Sequence, residues 1–304
     1  MSGSLLEIKK KIGGVQNTRK ITKAMQLVAA SKMRQFQKKA VASRGFAWDL
    51  FKILKRNLAE SSQSVFTEKR ESGKILFVIY TSDKGLCGPL NNKLLNGLFR
   101  SERWKNLKEN ERALITIGKK AHTFAQNNKI PELEHFIGIP EKLTSLDAID
   151  VMDKILTHWK TGDIKEVVFM APHYKNSFTF YPVMKTFLPF SADAIKSNLH
   201  IQEDEDTHTK EEENEDGNNS MLFAPDAQQV LEKLYEQIIQ AMFIQSFLEL
   251  KASEYSSRMM AMQSATDAAD RITGDLKRVY NKARQSAITQ EIAELIGASM
   301  ALED

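Results

Sequence analysis

The residues of this 304-residue chain whose types suit chemistry are few and scattered. The single cysteine, Cys87, lies in the glycine-rich turn Ser82-Asp-Lys-Gly-Leu-Cys-Gly88. A dinucleotide cradle needs G-x-G-x-x-G and a phosphate loop needs G-x-x-x-x-G-K-[ST]; this turn matches neither. Gly85 and Gly88 therefore read as a tight strand-to-helix turn, with Asp83 and Lys84 as turn or surface residues. No histidine follows Cys87 in a nucleophile pattern, so the thiol reads as a small buried residue. One cysteine also excludes an internal disulfide or a cysteine-rich metal site. The six histidines (122, 135, 158, 173, 200 and 208) show no ligand spacing, and each reads as structural or exposed. No metal and no cofactor are expected. The carboxylates of residues 203–216, nine acids against Lys210, form a solvated run rather than an acid–base pair. Met259, Met260 and Met262 read as helix packing. No self-contained active site is expected, and an α/β enzyme with accessory helices has no constellation behind it.

What the chain invests in instead is length. From Pro225 to Asp304 there is no further proline, and only Gly274 and Gly297 interrupt good helix formers. Apolar or small residues recur in alternating steps of three and four, through Leu231, Met242, Ala252, Met262, Ala269, Ile272, Leu276 and Val279 to Ala283. Their mean step of ~3.5 is that of a coiled-coil seam. Such a helix spans about 115 Å. At the other end, Leu5, Ile8, Ile12 and Val15, then Ile21, Met25 and Val28, predict a helix running to about Ala59. Gly13 and Gly14 would each cost about 1 kcal/mol in a helix, which predicts close packing against a partner helix.

Between the rods the pattern changes. Lys74–Tyr80, Ala113–Ile117, Glu166–Ala171 and Phe178–Leu188 read as strands, the last two as a hairpin. Helices are expected at Leu90–Arg100, Lys119–Asn127 and Asp147–Lys160. Strands alternating with helices predict a small, Rossmann-like α/β layer domain. The expected organisation is an N-terminal coiled-coil helix (1–59), a linker near Ser61–Ser64, an α/β foot (74–200), an acidic and disordered insertion (201–220), and a C-terminal coiled-coil helix with an apolar tip (225–304). The fold class is thus α/β with long helices, the two termini forming an antiparallel two-helix coiled coil. The C-terminal helix is the longer, so it should project alone beyond about Ala283. Its tip, with Ile288, Ile292, Leu295, Ile296, Met300 and Leu302, is apolar on most sides and calls for a socket in another protein.

A net charge of +4 hides an asymmetry: residues 1–58 carry fourteen Lys or Arg against Glu7 and Asp49. Such a segment suits an acidic protein surface, an anionic lipid or a nucleic acid. No run of eighteen apolar residues is long enough to span a membrane, and the N-terminus lacks the apolar core of a signal peptide.

The two termini resemble the gamma subunit of F-type ATP synthase. The resemblance rests on Val15-Gln-Asn-Thr-Arg-Lys-Ile-Thr-Lys-Ala-Met25 with Val28-Ala-Ala-Ser-Lys-Met33, on Met259-Met-Ala-Met-Gln-Ser-Ala-Thr-Asp267, on Tyr280-Asn-Lys-Ala-Arg-Gln-Ser-Ala-Ile-Thr-Gln-Glu291 and on the turn Ser82–Gly88. It implies a non-catalytic, torque-transmitting central stalk, present once per complex. Its coiled coil would sit in a ring of three alpha and three beta subunits, and its foot on the epsilon subunit and the membrane c-ring. Neither nucleic acid nor nucleotide would bind it. Arg284, Gln285, Thr289 and Glu291 match positions that bond beta-subunit loops, and Lys20, Lys23 and Met25 match the region facing the acidic lever of beta. Ile288, Ile292, Leu295, Ile296, Met300 and Leu302 would turn in an apolar sleeve. The implied location is peripheral, on the cytoplasmic face of a bacterial inner membrane. The sequence departs from the family at Pro89, Ala121 and Ala268-Ala269, which bears on local turns and seam packing. The competing reading is a generic coiled-coil scaffold for an acidic partner or nucleic acid, which leaves the apolar tip unexplained.

Overall fold

The computed structural model describes residues 2–57, 64–141, 145–176, 179–190 and 227–303. Residues 61–63 of the expected linker and the whole acidic insertion at 201–220 lie outside them. Two long helices, α1 (Ser2–Asn57) and α6 (Ala227–Glu303), flank β1 (Lys74–Tyr80), α2 (Leu90–Phe99), α3 (Glu102–Lys105), β2 (Arg112–Ile117), α4 (Lys119–Asn127), β3 (Glu134–Phe136), α5 (Ser145–Lys160), β4 (Ile164–Asn176) and β5 (Thr179–Leu188). The chain divides into two compact units, Met1–Ser31 with Arg258–Asp304, and Lys32–Ser257.

The first unit is an antiparallel helix pair. Thr22 Oγ1 lies 2.8 Å from Thr266 Oγ1, Arg19 ion-pairs with Asp270, and Gln26 donates to Gln263. Both threonine hydroxyls also have a backbone carbonyl within reach, at Arg19 and Met262, so this pair is fully bonded. Along α6 the buried line runs Met262, Thr266, Ala269 and then Thr273, while the expected seam residues Ile272 and Val279 are 48% and 54% exposed. Along α1 Thr22 and Ala29 are buried, while Ile21 and Val28, each one position earlier, are about 60% exposed. The 3.5-residue rhythm is therefore right, and its phase holds at Met262, Thr266 and Ala269 but is one residue off at Ile21, Val28, Ile272 and Val279. The expectation for Gly13 and Gly14 is also corrected: a Cβ at either would meet nothing within 4 Å.

The second unit is built on a five-stranded sheet of order β3-β2-β1-β4-β5. The first four strands are parallel, and β5 returns antiparallel to β4. Residues Ile75–Tyr80 of the central strand are all buried, as a strand covered on both faces requires. On one face Phe77 meets Trp104 edge-on at 5.1 Å. On the other, Tyr80 stacks on Phe243 of α6 at 6.1 Å, and Phe169 meets the same ring at 6.2 Å. β4 runs five residues beyond the expected Ala171. There it has outrun β1, and Pro172, paired with Pro182 of β5, withholds an N–H that no other strand needs. β3 was not expected from the sequence, because three residues, Glu-His-Phe, carry too little pattern; pairing with β2 alone holds it.

The glycine-rich turn closes the carboxyl end of β1. Gly88 and Leu86 take positive φ of 54° and 60°, while Gly85 does not. Asn91 donates to Ser82 Oγ at 2.9 Å and to Cys87 Sγ at 3.1 Å, and Cys87 is buried as expected. Asp83 Oδ1 accepts the Lys119 N–H at 2.9 Å, and Thr81 Oγ1 accepts that of Ala121 at 2.9 Å. The turn thus splices β1 to α2 and α4. Pro89 serves as the N-cap of α2, where a missing N–H costs nothing. Ala121 is fully buried against this turn, so neither departure disturbs the local fold.

Candidate partner-binding surfaces

In the first unit the three side-chain pairs fix the antiparallel register. Extended along both helices, that register sets Ser2 opposite about Ala287. Residues beyond Ala287 therefore have no α1 residue facing them, some four residues later than the sequence predicts. Residues 291–296 are all exposed. Ile288, Ile292, Leu295 and Ile296 are 46%, 52%, 71% and 56% exposed. Four large aliphatic side chains in water on one short length of helix constitute an unburied hydrophobic surface. The side chains of Met300 and Leu302 lie outside the described residues.

The residues just before and within this tip are polar and outward. Arg284, Gln285, Thr289 and Glu291 are exposed, and Thr289 Oγ1 donates to the Gln285 carbonyl at 3.0 Å. That local bond leaves the hydroxyl oxygen free to accept another. On α1, Lys20 and Lys23 are exposed and Met25 is half-buried. Lys23 Nζ donates to Gln26 Oε1 at 3.1 Å, and no carboxylate among the described residues neutralises it. The exposed apolar residues Ile21, Leu27 and Val28 share this stretch, so cations and aliphatic groups alternate along it. The structure brings Lys20, Lys23 and Met25 together on one helix and the tip residues together on the other.

In the second unit the side chains hold rather than react. Glu141 receives Lys32 of α1 and the Tyr255 hydroxyl of α6. Burial alone would raise its pKa, but these two partners outweigh burial and hold the carboxyl below its ordinary value. The Tyr255 ring stacks on Phe36 at 5.6 Å. Glu249 of α6 is buried with Gln245 at 2.9 Å, and Arg44, His173 and Lys185 lie within 3.5 to 3.9 Å. Burial pushes the Lys185 ammonium pKa down, and the Glu249 carboxylate opposes that push. Neither cluster was read from the sequence. Glu249 is visible there only as the one charge inside the mostly apolar run Ala241–Leu250, a sign that it needs a buried partner. His122 and His135, thirteen positions apart and without ligand spacing in the sequence, meet each other and Glu132. A helix, a loop and a strand separate them in sequence, so no periodic spacing could announce the cluster.

A family profile described as ATP synthase matches residues 4–302. The ATP synthase gamma chain of Stenotrophomonas maltophilia is 38% identical, over 97% of this chain and 98% of its own. That of a Synechococcus strain is 35% identical, over 98% and 99%. Among solved structures, a chain of the Euglena gracilis mitochondrial ATP synthase OSCP/F1/c-ring assembly aligns with a TM-score of 0.66 at 18% identity, over 99% of this chain and 95% of that one. A chain of the Tetrahymena thermophila mitochondrial ATP synthase central stalk and c-ring aligns at 0.59 and 24% identity, over 81% and 99%. At those identities the two structures speak to the fold.

Proposed function

The chain belongs to the ATP synthase gamma family, and from that premise we propose how its surfaces divide the work of a central rotary stalk. It is a non-catalytic subunit; ATP synthesis and hydrolysis belong to the whole membrane-associated complex. Among the described residues no helix is long and apolar enough to cross a membrane.

The α6 tip enters an apolar sleeve at the top of a ring of three alpha and three beta subunits, with one copy of this chain per ring. The observation that carries this reading is the aliphatic run Ile288–Ile296, exposed on a length of helix that α1 does not reach. Burying such side chains contributes about 1.5–3 kcal/mol each when it is complete. Arg284 and Gln285 just before that run, and Thr289 and Glu291 within it, offer a donor fork, an amide, a hydroxyl and a carboxylate to beta-subunit loops. Lys20 and Lys23, exposed beside Met25, follow an acidic lever segment of beta by charge attraction. Met300 and Leu302 complete the sleeve contact.

Torque needs a stalk that does not slip internally. In the helix pair, the bonded seam at Thr22–Thr266, flanked by Arg19–Asp270 and Gln26–Gln263, resists sliding. In the foot, Phe243 on Tyr80 and the Lys32–Glu141–Tyr255 clamp fasten both long helices to the α/β layer. The foot docks on an epsilon subunit and the c-ring at the cytoplasmic face of a bacterial inner membrane.

Reconstitution of the cognate alpha and beta subunits with and without this chain tests the reading. Azide-sensitive ATP hydrolysis that requires the chain is the expected result. Absence of both activity and a complex on a sizing column, with alpha and beta folded, would return the chain to the generic scaffold.

A further inference from the structure

We propose that His122, Glu132 and His135 form a binding site for a divalent ion of the zinc class on the edge of the foot's sheet. Their ligand atoms all lie within 4.8 Å of one another, the one such group among the described residues. The three come from three elements. His122 lies in α4, Glu132 in the connection that follows it, and His135 at the middle of β3, paired with Thr116 of β2. Glu132 is already oriented: His122 Nδ1 lies 2.9 Å from its Oε2, and the buried Thr116 hydroxyl donates to its Oε1. A carboxylate held by a hydroxyl that cannot turn away is the usual outer support of a metal ligand. The connection itself is tied down by the Leu133 N–H on the Leu114 carbonyl at 2.8 Å.

The chemistry of the donor set selects the ion. Two imidazoles and one carboxylate suit zinc, cobalt or nickel, whereas magnesium and calcium prefer all-oxygen shells. Zinc bonds of about 2.0–2.1 Å place tetrahedral ligand atoms roughly 3.3 Å apart, so the group need contract by at most about 1.5 Å. One side chain can supply that movement. The His122 and His135 rings are stacked at 4.2 Å with 24° between planes, and a shared ion requires one ring to leave the stack. His135 is exposed and free to swing, while His122 and Glu132 are 15% and 11% exposed and stay put. Three protein ligands leave at least one position to water, so the ion would exchange with solvent.

The consequence is mechanical. β3 is an edge strand held by three residue pairs to β2, and an ion would join it to α4 and to the connection between them. That stitch uses none of the residues assigned to the beta subunits and stands whether or not those assignments hold.

The test uses the full chain, stripped of metal and titrated with cobalt(II). The expected result is an intense visible d–d absorption that saturates at one equivalent and is displaced by zinc. His135→Ala, at an exposed position, should leave far-UV circular dichroism unchanged and weaken binding by more than about tenfold. Thr116→Val, which frees the carboxylate without removing a ligand, should weaken it about 10–100-fold. Carboxylate-rich segments elsewhere in the chain bind cobalt(II) in octahedral, weakly absorbing form and do not mimic this signal. No intense absorption, or one that persists in His135→Ala, would reduce the cluster to a hydrogen-bonded ring stack.

Discussion

Replacing Gly13 and Gly14 by alanine separates two ideas of what the helix pair is. If the glycines admit a neighbouring backbone, alanine must destabilise. In the structure a Cβ at either position meets nothing within 4 Å, and neither residue has a positive φ. Alanine then keeps only its intrinsic advantage in a helix, about 0.8–1.0 kcal/mol per position. The double variant should therefore gain roughly 1.6–2 kcal/mol of local stability. At about tenfold per 1.4 kcal/mol, backbone amides of residues 8–20 should exchange with deuterium roughly twentyfold more slowly. Hydrogen exchange followed by mass spectrometry on the full chain reads this locally and needs no two-state unfolding. Gly118→Ala supplies the opposite sign: φ there is +94° and the new Cβ would lie 2.1 Å from the Thr81 carbonyl oxygen. That variant should lower the unfolding midpoint of the foot, reported by Trp48, Trp104 and Trp159. Exchange at residues 8–20 that is unchanged or faster in the double alanine variant would refute the open-space reasoning. If exchange slows but the variant fails to enter the complex, the glycines serve a partner rather than the fold.

Further outcomes follow from other parts of the structure. Phe243→Ala removes a fully buried ring packed on Tyr80 and Phe169, and should cost about 3–5 kcal/mol, measured by tryptophan emission in denaturant. The Lys32–Glu141–Tyr255 clamp should be acid-sensitive. The Glu141 pKa is depressed on folding, so its stabilisation is present above the ordinary carboxylate value and is lost as pH falls through the lower folded value. The difference in unfolding midpoint between wild type and Glu141→Gln should accordingly be present at neutral pH and vanish in strong acid; a difference that grows on acidification would overturn the assignment. Deleting residues 288–304 should weaken association with the alpha–beta ring at least tenfold, read by titration on a sizing column, while the tryptophan-reported midpoint of the foot stays within error.

The broad plan was legible in the residues alone. Continuous runs of helix formers without proline fix two long helices, and a 3.5-residue rhythm makes them a coiled coil, because periodicity is a local property of the chain. The buried strands at Lys74–Tyr80 and Arg112–Ile117 announce themselves by composition for the same reason. The lack of a phosphate loop follows from motif chemistry, and the apolar tip from counting charges. Tertiary structure decided what depends on a second element. Thr22 and Ala29, rather than Ile21 and Val28, face the seam, because adjacent rows on a helix differ by only 100° and the partner's approach selects between them. The same selection puts Thr273 inside and Ile272 in water. Edge strand β3 exists because β2 offers it hydrogen bonds, which no three-residue pattern can declare. Glu141 and Glu249 acquired partners from helices more than a hundred residues away along the chain. His122, Glu132 and His135 converge only once a helix, a loop and a strand have folded onto one another, and distance in space rather than spacing in sequence decides whether ligands can share an ion.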